Sequence, residues 1–199
     1  MKIAVIGAGN MGGALVKGWA KAGMAADITA SAHTQQTLDR LASACPGIAV
    51  TLDNRKAVEG ADVVLLAVKP WLIEQVIAEI APELAGKLVV SVAAGIRNNR
   101  IDVYAMPNIA AEFGESMTFV EEAEQADRVA SLFERVGQCK VVPQRLMNAG
   151  IKSLQIRYLA ITLHLDHDRP YKNEEHWKIN NAIRETTRRM KLTRTAHGL

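Results

Sequence analysis

The residues with the most specific chemistry lie at the start of the chain, in Gly7-Ala8-Gly9-Asn10-Met11-Gly12. Glycines at G-x-G-x-x-G spacing suit a phosphate-binding turn. The first permits the tight bend, the second lets the backbone approach a pyrophosphate, and the third allows a helix to pack closely on a strand. The N–H groups and positive end of the following helix then attract the anion. Spacing alone is weak evidence, because glycines gather in ordinary turns. The flanks make it specific: a branched apolar run up to Ile6 suits a strand buried on both faces, and Ala14 to Ala22 is helix-forming. Strand, loop and helix together predict a dinucleotide site.

A second group decides which dinucleotide. Asp27 to His33 reads as the next strand, ending in Ser31-Ala32-His33-Thr34. A carboxylate at that end would bond the ribose hydroxyls of NAD and repel the extra phosphate of NADP. None is present: Asp27 lies at the other end of the strand, and Asp39 sits in the helix that Thr34 is placed to cap. NADP(H) is the expected cofactor, with NAD(H) left open.

The elements that must position these groups alternate along the chain. Short strands are expected at Ile48–Leu52, Asp62–Val68, Lys87–Val92, Ile101–Met106, Met117–Val120 and Cys139–Val142. Asp53-Asn54 opens a brief helix to Glu59. Helices are also expected over Trp71–Leu84, with Ile73, Val76, Ile77 and Ile80 inward, and over Glu121–Arg135, with Ala126, Val129, Leu132, Phe133 and Val136 inward. This predicts an α/β, Rossmann-type, doubly wound and mostly parallel sheet in three layers. The strand-to-loop junctions at Gly7, Ser31, Ala67 and Ala93 then share one edge, where ligands bind in such sheets. Lys69 there reads equally as a phosphate or ribose contact and as a solvated lysine.

The bulk properties set bounds. With 199 residues, 49% of them hydrophobic, the chain can bury a real core, and no run is apolar enough to span a bilayer. The chain opens directly on a core strand without a leader, and Cys45 and Cys139 show no ligand spacing, so a reducing cytoplasmic setting is expected. The formal charge of +3 is uneven: residues 151–199 hold 10 Lys and Arg against 5 Asp and Glu, and four of the five histidines. That shift predicts a dinucleotide-binding domain over 1–149 and a short helical segment over 150–199. Within the latter, 151–166 reads as helix over strand, and a helix opening at Asn173 places Ile179, Ile183 and Met190 on one face and Arg184, Arg188 and Arg189 on another. Those arginines follow no recognised motif and are read as a solvated face, so neither nucleic acid nor membrane is expected as a partner. His164-Leu-Asp-His-Asp168 is too compressed to converge on one ion, and no metal is expected.

Ile6-Gly-Ala-Gly-Asn-Met-Gly12, Ala67-Val-Lys-Pro70, Ser91-Val-Ala-Ala-Gly95, Met106-Pro-Asn108, Gly114-Glu-Ser-Met-Thr118 and Val136-Gly137 occur in that order. In these pieces the chain resembles the pyrroline-5-carboxylate reductase family, NADPH-dependent enzymes that make proline. The likeness covers about the first 149 residues. It implies dinucleotide contacts at Gly7, Ala8, Gly9, Asn10, Met11, Gly12, Ser31, Ala32, His33, Thr34, Asn54, Ala67, Val68, Lys69, Pro70, Ala93, Ala94 and Gly95, with Met106-Pro107-Asn108 near the nicotinamide. It further implies hydride transfer to the carbon of a small cyclic imine, and a homodimer. Such a step needs donor and electrophile in a near-attack pose before anything else.

The chain departs from the family pattern in three places. Only Ile96-Arg-Asn-Asn-Arg100 separates Gly95 from Ile101, Met106-Pro-Asn continues as Ile109-Ala110-Ala111, and nothing after Gly150 matches the family's helical substrate domain. No catalytic residue is therefore carried over. A cofactor-binding module without catalysis is the alternative reading. A reductase of β-hydroxyacids ranks lower, for want of Ala-Val-Lys-Pro in such enzymes.

Overall fold

The computed structural model describes residues Met1–Met147. The helices expected at 151–166 and from Asn173, the 150–199 segment and the His164–Asp168 run lie outside the described residues.

Eight strands form a sheet in the order β3-β2-β1-β4-β5-β6-β7-β8. They are β1 (Ile3–Ile6), β2 (Ile28–Ser31), β3 (Ala49–Thr51), β4 (Val63–Leu66), β5 (Leu88–Ser91), β6 (Val103–Met106), β7 (Ser116–Glu121) and β8 (Gly137–Val142). The first six run parallel to one another, β7 pairs antiparallel with β6, and β8 pairs parallel with β7. This is the expected Rossmann-type sheet, with the strand order reversing beside β1.

Among the described residues five α-helices cover it: α1 (Asn10–Trp19), α2 (Gln35–Ala44), α3 (Asn54–Val58), α4 (Ile73–Ile80) and α5 (Ala126–Phe133). Because strand side chains alternate between faces, Ile3 and Val5 join one apolar layer and Ala4 and Ile6 the other. The first layer takes Leu15, Val16 and Trp19 from α1 and Val129, Leu132 and Phe133 from α5. Trp19 is fully buried, its ring centroid 5.8 Å from that of Phe133, and its indole N–H donates to the Leu132 carbonyl at 2.9 Å. The second layer takes Val58 from α3 and Ile73, Ile77 and Ile80 from α4. Side chains of this size contribute roughly 1.5–3 kcal/mol each when fully buried.

Local chemistry sets the boundaries. Thr34 caps α2 by accepting from the Thr37 N–H at 3.4 Å, and Asp53 caps α3 by accepting from Arg55 and Lys56 at 2.9 and 3.2 Å. The helix expected over Trp71–Leu84 is shorter as an α-helix. A 3-10 turn at Pro70–Leu72 precedes it, and another at Ala81–Glu83 follows, where Pro82 has no N–H to continue the ladder. Glu121 ends β7 and does not start a helix, because pairing with Val142 of β8 draws it into the sheet. Residues 109–113, to which no element was assigned from the sequence, form a 3-10 helix between the Asn108 cap and Gly114 at φ +76°.

Candidate functional site

The carboxyl ends of β1, β2, β4 and β5 lie level. Ile6 stands opposite both Ser31 and Leu66, and Leu66 stands opposite Ser91. The residues that follow these four ends are Gly7, Ala32, Ala67 and Val92, so the expected junctions converge on one edge.

The glycine loop is built as its spacing requires. Gly7 takes φ +97°, and a Cβ there would stand 2.7 Å from Val68 Cγ1. A Cβ on Gly12 would collide with the Gly7 carbonyl oxygen. Gly9 differs: it is exposed, and a Cβ on it would meet nothing within 4 Å. Gly9 is also the N-cap of α1 and provides no side-chain cap, and the first turn of α1 has no acidic residue. Open space, uncapped N–H groups and no negative charge therefore coincide at the head of α1. That arrangement fits an anion such as a pyrophosphate. The loop is fixed from behind, since Gly7 and Ala8 both donate to the Ser31 carbonyl at 3.1 and 2.7 Å.

The other predicted residues sort by exposure. Asn10, His33, Thr34, Lys69, Ala94 and Gly95 are exposed at this edge. Met11, Ala32, Asn54, Ala67, Val68, Pro70, Ala93 and Asn108 are half-buried. Ala8, Gly12 and Ser31 are buried. The Ser31 hydroxyl is spent on Asn54 Oδ1 at 2.7 Å, so this serine supports the edge from beneath. Asn108 is likewise engaged: its Oδ1 accepts from the Ala110 N–H at 3.1 Å, and its Nδ2 donates to the Met117 carbonyl at 3.3 Å. It holds the 109–113 helix, which packs so closely on α1 that a Cβ on Gly18 would collide with the Ala111 carbonyl. Lys17 closes that contact with an ion pair to Glu112 at 2.9 Å.

Two arrangements were not foreseen from the sequence. At the head of α3, Asn54 Nδ2 donates to Glu79 Oε2 at 3.0 Å, and Arg55 is paired with Glu83. The carboxylate hydrogen-bonded to Arg55 raises its pKa above the ordinary arginine value. The signal was available in Glu79 and Glu83, acids one turn apart facing a neighbouring helix. The second arrangement is the β5–β6 crossover, residues 92–102, which contains no helix. Arg97 instead grips Glu121 with two hydrogen bonds of 2.6 Å and lies 4.2 Å over the Tyr104 ring, whose hydroxyl accepts from the Asn98 N–H at 2.7 Å. The hydrogen bond to Glu121 raises the Arg97 pKa as well.

Among the described residues no group of three or more His, Cys, Asp or Glu side chains could hold a metal ion, and no helix is long and apolar enough to cross a membrane. Cys45 and Cys139 are free. Burial raises both thiol pKa values, that of Cys139 to about 11.

Residues 2–95 match the family described as NADP oxidoreductase coenzyme F420-dependent. A pyrroline-5-carboxylate reductase of Methanosarcina acetivorans is 37% identical over 165 residues, covering 74% of this chain and 61% of that protein. One from Vibrio alginolyticus is 38% identical over 160 residues, covering 72% and 58%. The chain thus spans about three fifths of the length of these curated relatives. Among solved structures, a Coxiella burnetii pyrroline-5-carboxylate reductase superposes with a TM-score of 0.68 at 23% identity, covering 100% of this chain and 81% of that one. A Plasmodium falciparum pyrroline carboxylate reductase with NADP bound superposes at 0.64 and 18% identity, covering 98% and 79%. These structural likenesses support the fold; the sequence likenesses, over the stretch that carries the glycine loop and the strand-end motifs, support descent. Through its dinucleotide-binding part, the chain belongs to the pyrroline-5-carboxylate reductase family.

Proposed function

We propose that this chain binds NADPH along the carboxyl edge of its sheet and reduces a small cyclic imine, 1-pyrroline-5-carboxylate or a close relative. The observation that carries this reading is the open cradle at Gly9, where space, N–H donors and the absence of acids coincide at the head of α1. The relatives' activity supports the substrate class. Bound there, the dinucleotide supplies a hydride. The carbon of the N-protonated imine receives it as the C=N double bond becomes single, and the ring nitrogen keeps its proton, giving a cyclic secondary amine. The chain's own residues bind and orient: the α1 N–H groups hold the pyrophosphate, Ala67–Pro70 and Ala93–Gly95 line the edge with small side chains, and Asn108 fixes the loop after β6. Preorganisation of this kind is what hydride transfer demands of a protein. The working form in this reading is a cytoplasmic homodimer.

A second reading stops at the cofactor. In it, the protein binds the cofactor and catalyses nothing. Absorbance at the NADPH band separates the two. The first reading expects oxidation of NADPH when pyrroline-5-carboxylate is added to the full chain. Binding without turnover would move the protein to the second. No binding at all would sink both.

A further inference from the structure

Asn54 and Arg55 open α3, and each is held by one of two carboxylates four residues apart. Asn54 is locked at both ends, with Oδ1 accepting from Ser31 at 2.7 Å and Nδ2 donating to Glu79 at 3.0 Å. Ser31 is the last residue of β2, and the adenosine ribose of a dinucleotide lies at the end of that strand in this fold. Arg55 therefore stands one residue from a side chain pinned beside the ribose position. Its side chain is 54% exposed.

The Arg55–Glu83 pair is lopsided. Nε donates to Glu83 Oε1 at 2.7 Å and Nη2 makes its ion-pair contact with that same oxygen at 2.6 Å, while Oε2 is buried with no hydrogen-bond partner. A parallel fork would use both oxygens and be the stronger arrangement. The guanidinium is thus held, one residue along α3 from Asn54, by a counter-ion that satisfies it incompletely. A phosphate, with three acceptor oxygens, is the better partner for a planar guanidinium. The exposed residues at the end of β2, His33 and Thr34, include no carboxylate to repel one.

We propose that Arg55 recognises the 2′-phosphate of NADPH, with Glu83 as the counter-ion it leaves, and so selects NADPH over NADH. The inference rests on the dinucleotide reading above and assigns one specificity-determining residue within it. Glu79 is a positioning residue: through Asn54 it fixes where α3 begins relative to β2, and hence where Arg55 starts from.

The test titrates the full chain with NADPH and NADH, reading nicotinamide fluorescence, at low and physiological salt. Arg55→Gln is expected to raise the Kd for NADPH about tenfold, the weight of one charge-assisted contact, and the Kd for NADH less than twofold. Arg55→Lys keeps the charge without the fork and falls between. Glu83→Gln releases the guanidinium and lowers the Kd for NADPH while leaving that for NADH unchanged. The NADPH preference shrinks as salt rises, because an exposed pair is screened. An Arg55→Gln protein whose NADPH-to-NADH ratio equals the wild type's overturns the proposal while the dinucleotide reading stands. A wild-type chain that binds neither coenzyme removes that reading, and the proposal with it. NADH affinity is the internal check that each variant is folded.

Discussion

The β1–α1 junction and the β5–β6 junction solve one problem, a chain leaving the carboxyl end of a parallel strand, by opposite means. At β1–α1 the backbone does the work: glycines make the bend, and the loop N–H groups of Gly7 and Ala8 are tied to the Ser31 carbonyl. At β5–β6 the side chains do it. A crossover of residues 92–102 returns to a parallel strand without the helix such connections usually carry. Arg97, Glu121 and Tyr104 stitch it down in place of helix packing. The first solution leaves an open, electropositive gap that a ligand can enter. The second spends Arg97, Glu121 and Tyr104 on one another, which keeps these side chains out of the site. Backbone construction is thus what frees an edge for binding.

Substitutions within the glycine loop test this most severely. Gly12→Ala places a Cβ against the Gly7 carbonyl oxygen, a contact between two backbone segments that cannot relax by rotating a side chain. The expected loss is about 3 kcal/mol in urea denaturation. A variant as stable as wild type would mean that the loop is not packed on the helix as described.

Gly9→Ala separates binding from stability. Its φ of −74° and ψ of −153° suit any residue, and the added methyl meets only open space. Stability should stay within about 0.5 kcal/mol of wild type, as for an ordinary surface change. NADPH affinity should fall at least about tenfold, because the methyl occupies the approach of the pyrophosphate. Unchanged affinity would show that the dinucleotide, if bound, does not lie over this glycine.

The side-chain solution is tested by Arg97. Its removal leaves Glu121, whose side chain is only 11% exposed, without a partner, and takes the cation from the Tyr104 ring. Arg97→Ala should destabilise the domain by about 1–2 kcal/mol, with screening by solvent on the arginine side keeping the figure modest. Arg97→Lys should recover only part, since a point charge cannot make the two-pronged contact. NADPH affinity should move less than twofold in either variant. A large change there would tie the crossover to the site and erase the contrast.

This contrast also explains what could be read from the residues alone. The glycine loop, the Thr34 cap and the four level strand ends follow from local rules, each written in a few consecutive residues, and they were legible. The Arg97–Glu121 grip joins positions 24 apart, and Ser31–Asn54–Glu79 joins three elements. Such pairings depend on the order of strands in the sheet, which no local pattern encodes. Ser31 illustrates the limit. Its place at the end of β2 is evident from the hydrophobic run, but that its hydroxyl faces inward to Asn54 follows only from where α3 packs. The 109–113 helix was missed for a similar reason: its Asn108 and Gly114 caps were visible, but its packing against α1 depends on Gly18, more than ninety positions earlier.

The smallest expected effect lies on β8, away from both junctions. Burial pushes the Cys139 thiol up to about 11, with the negative charge of Glu134 adding to it. At pH 8 roughly one thiol in a thousand is then ionised, so reaction with a thiol reagent should be slow in the folded protein and fast after unfolding. The sign of the stability effect follows from proton binding. Between the ordinary value of 9.0 and about 11 the folded chain keeps this proton while the unfolded chain loses it, so stability falls as pH rises through that window and is unaffected below it. Lysines titrate nearby in pH, so the comparison is with Cys139→Ser, which should show a shallower decline over the same range. Parallel declines in the two proteins would mean that the thiol ionises as freely in the sheet as in the unfolded chain, and that this edge of β8 is more open to water than its neighbours imply.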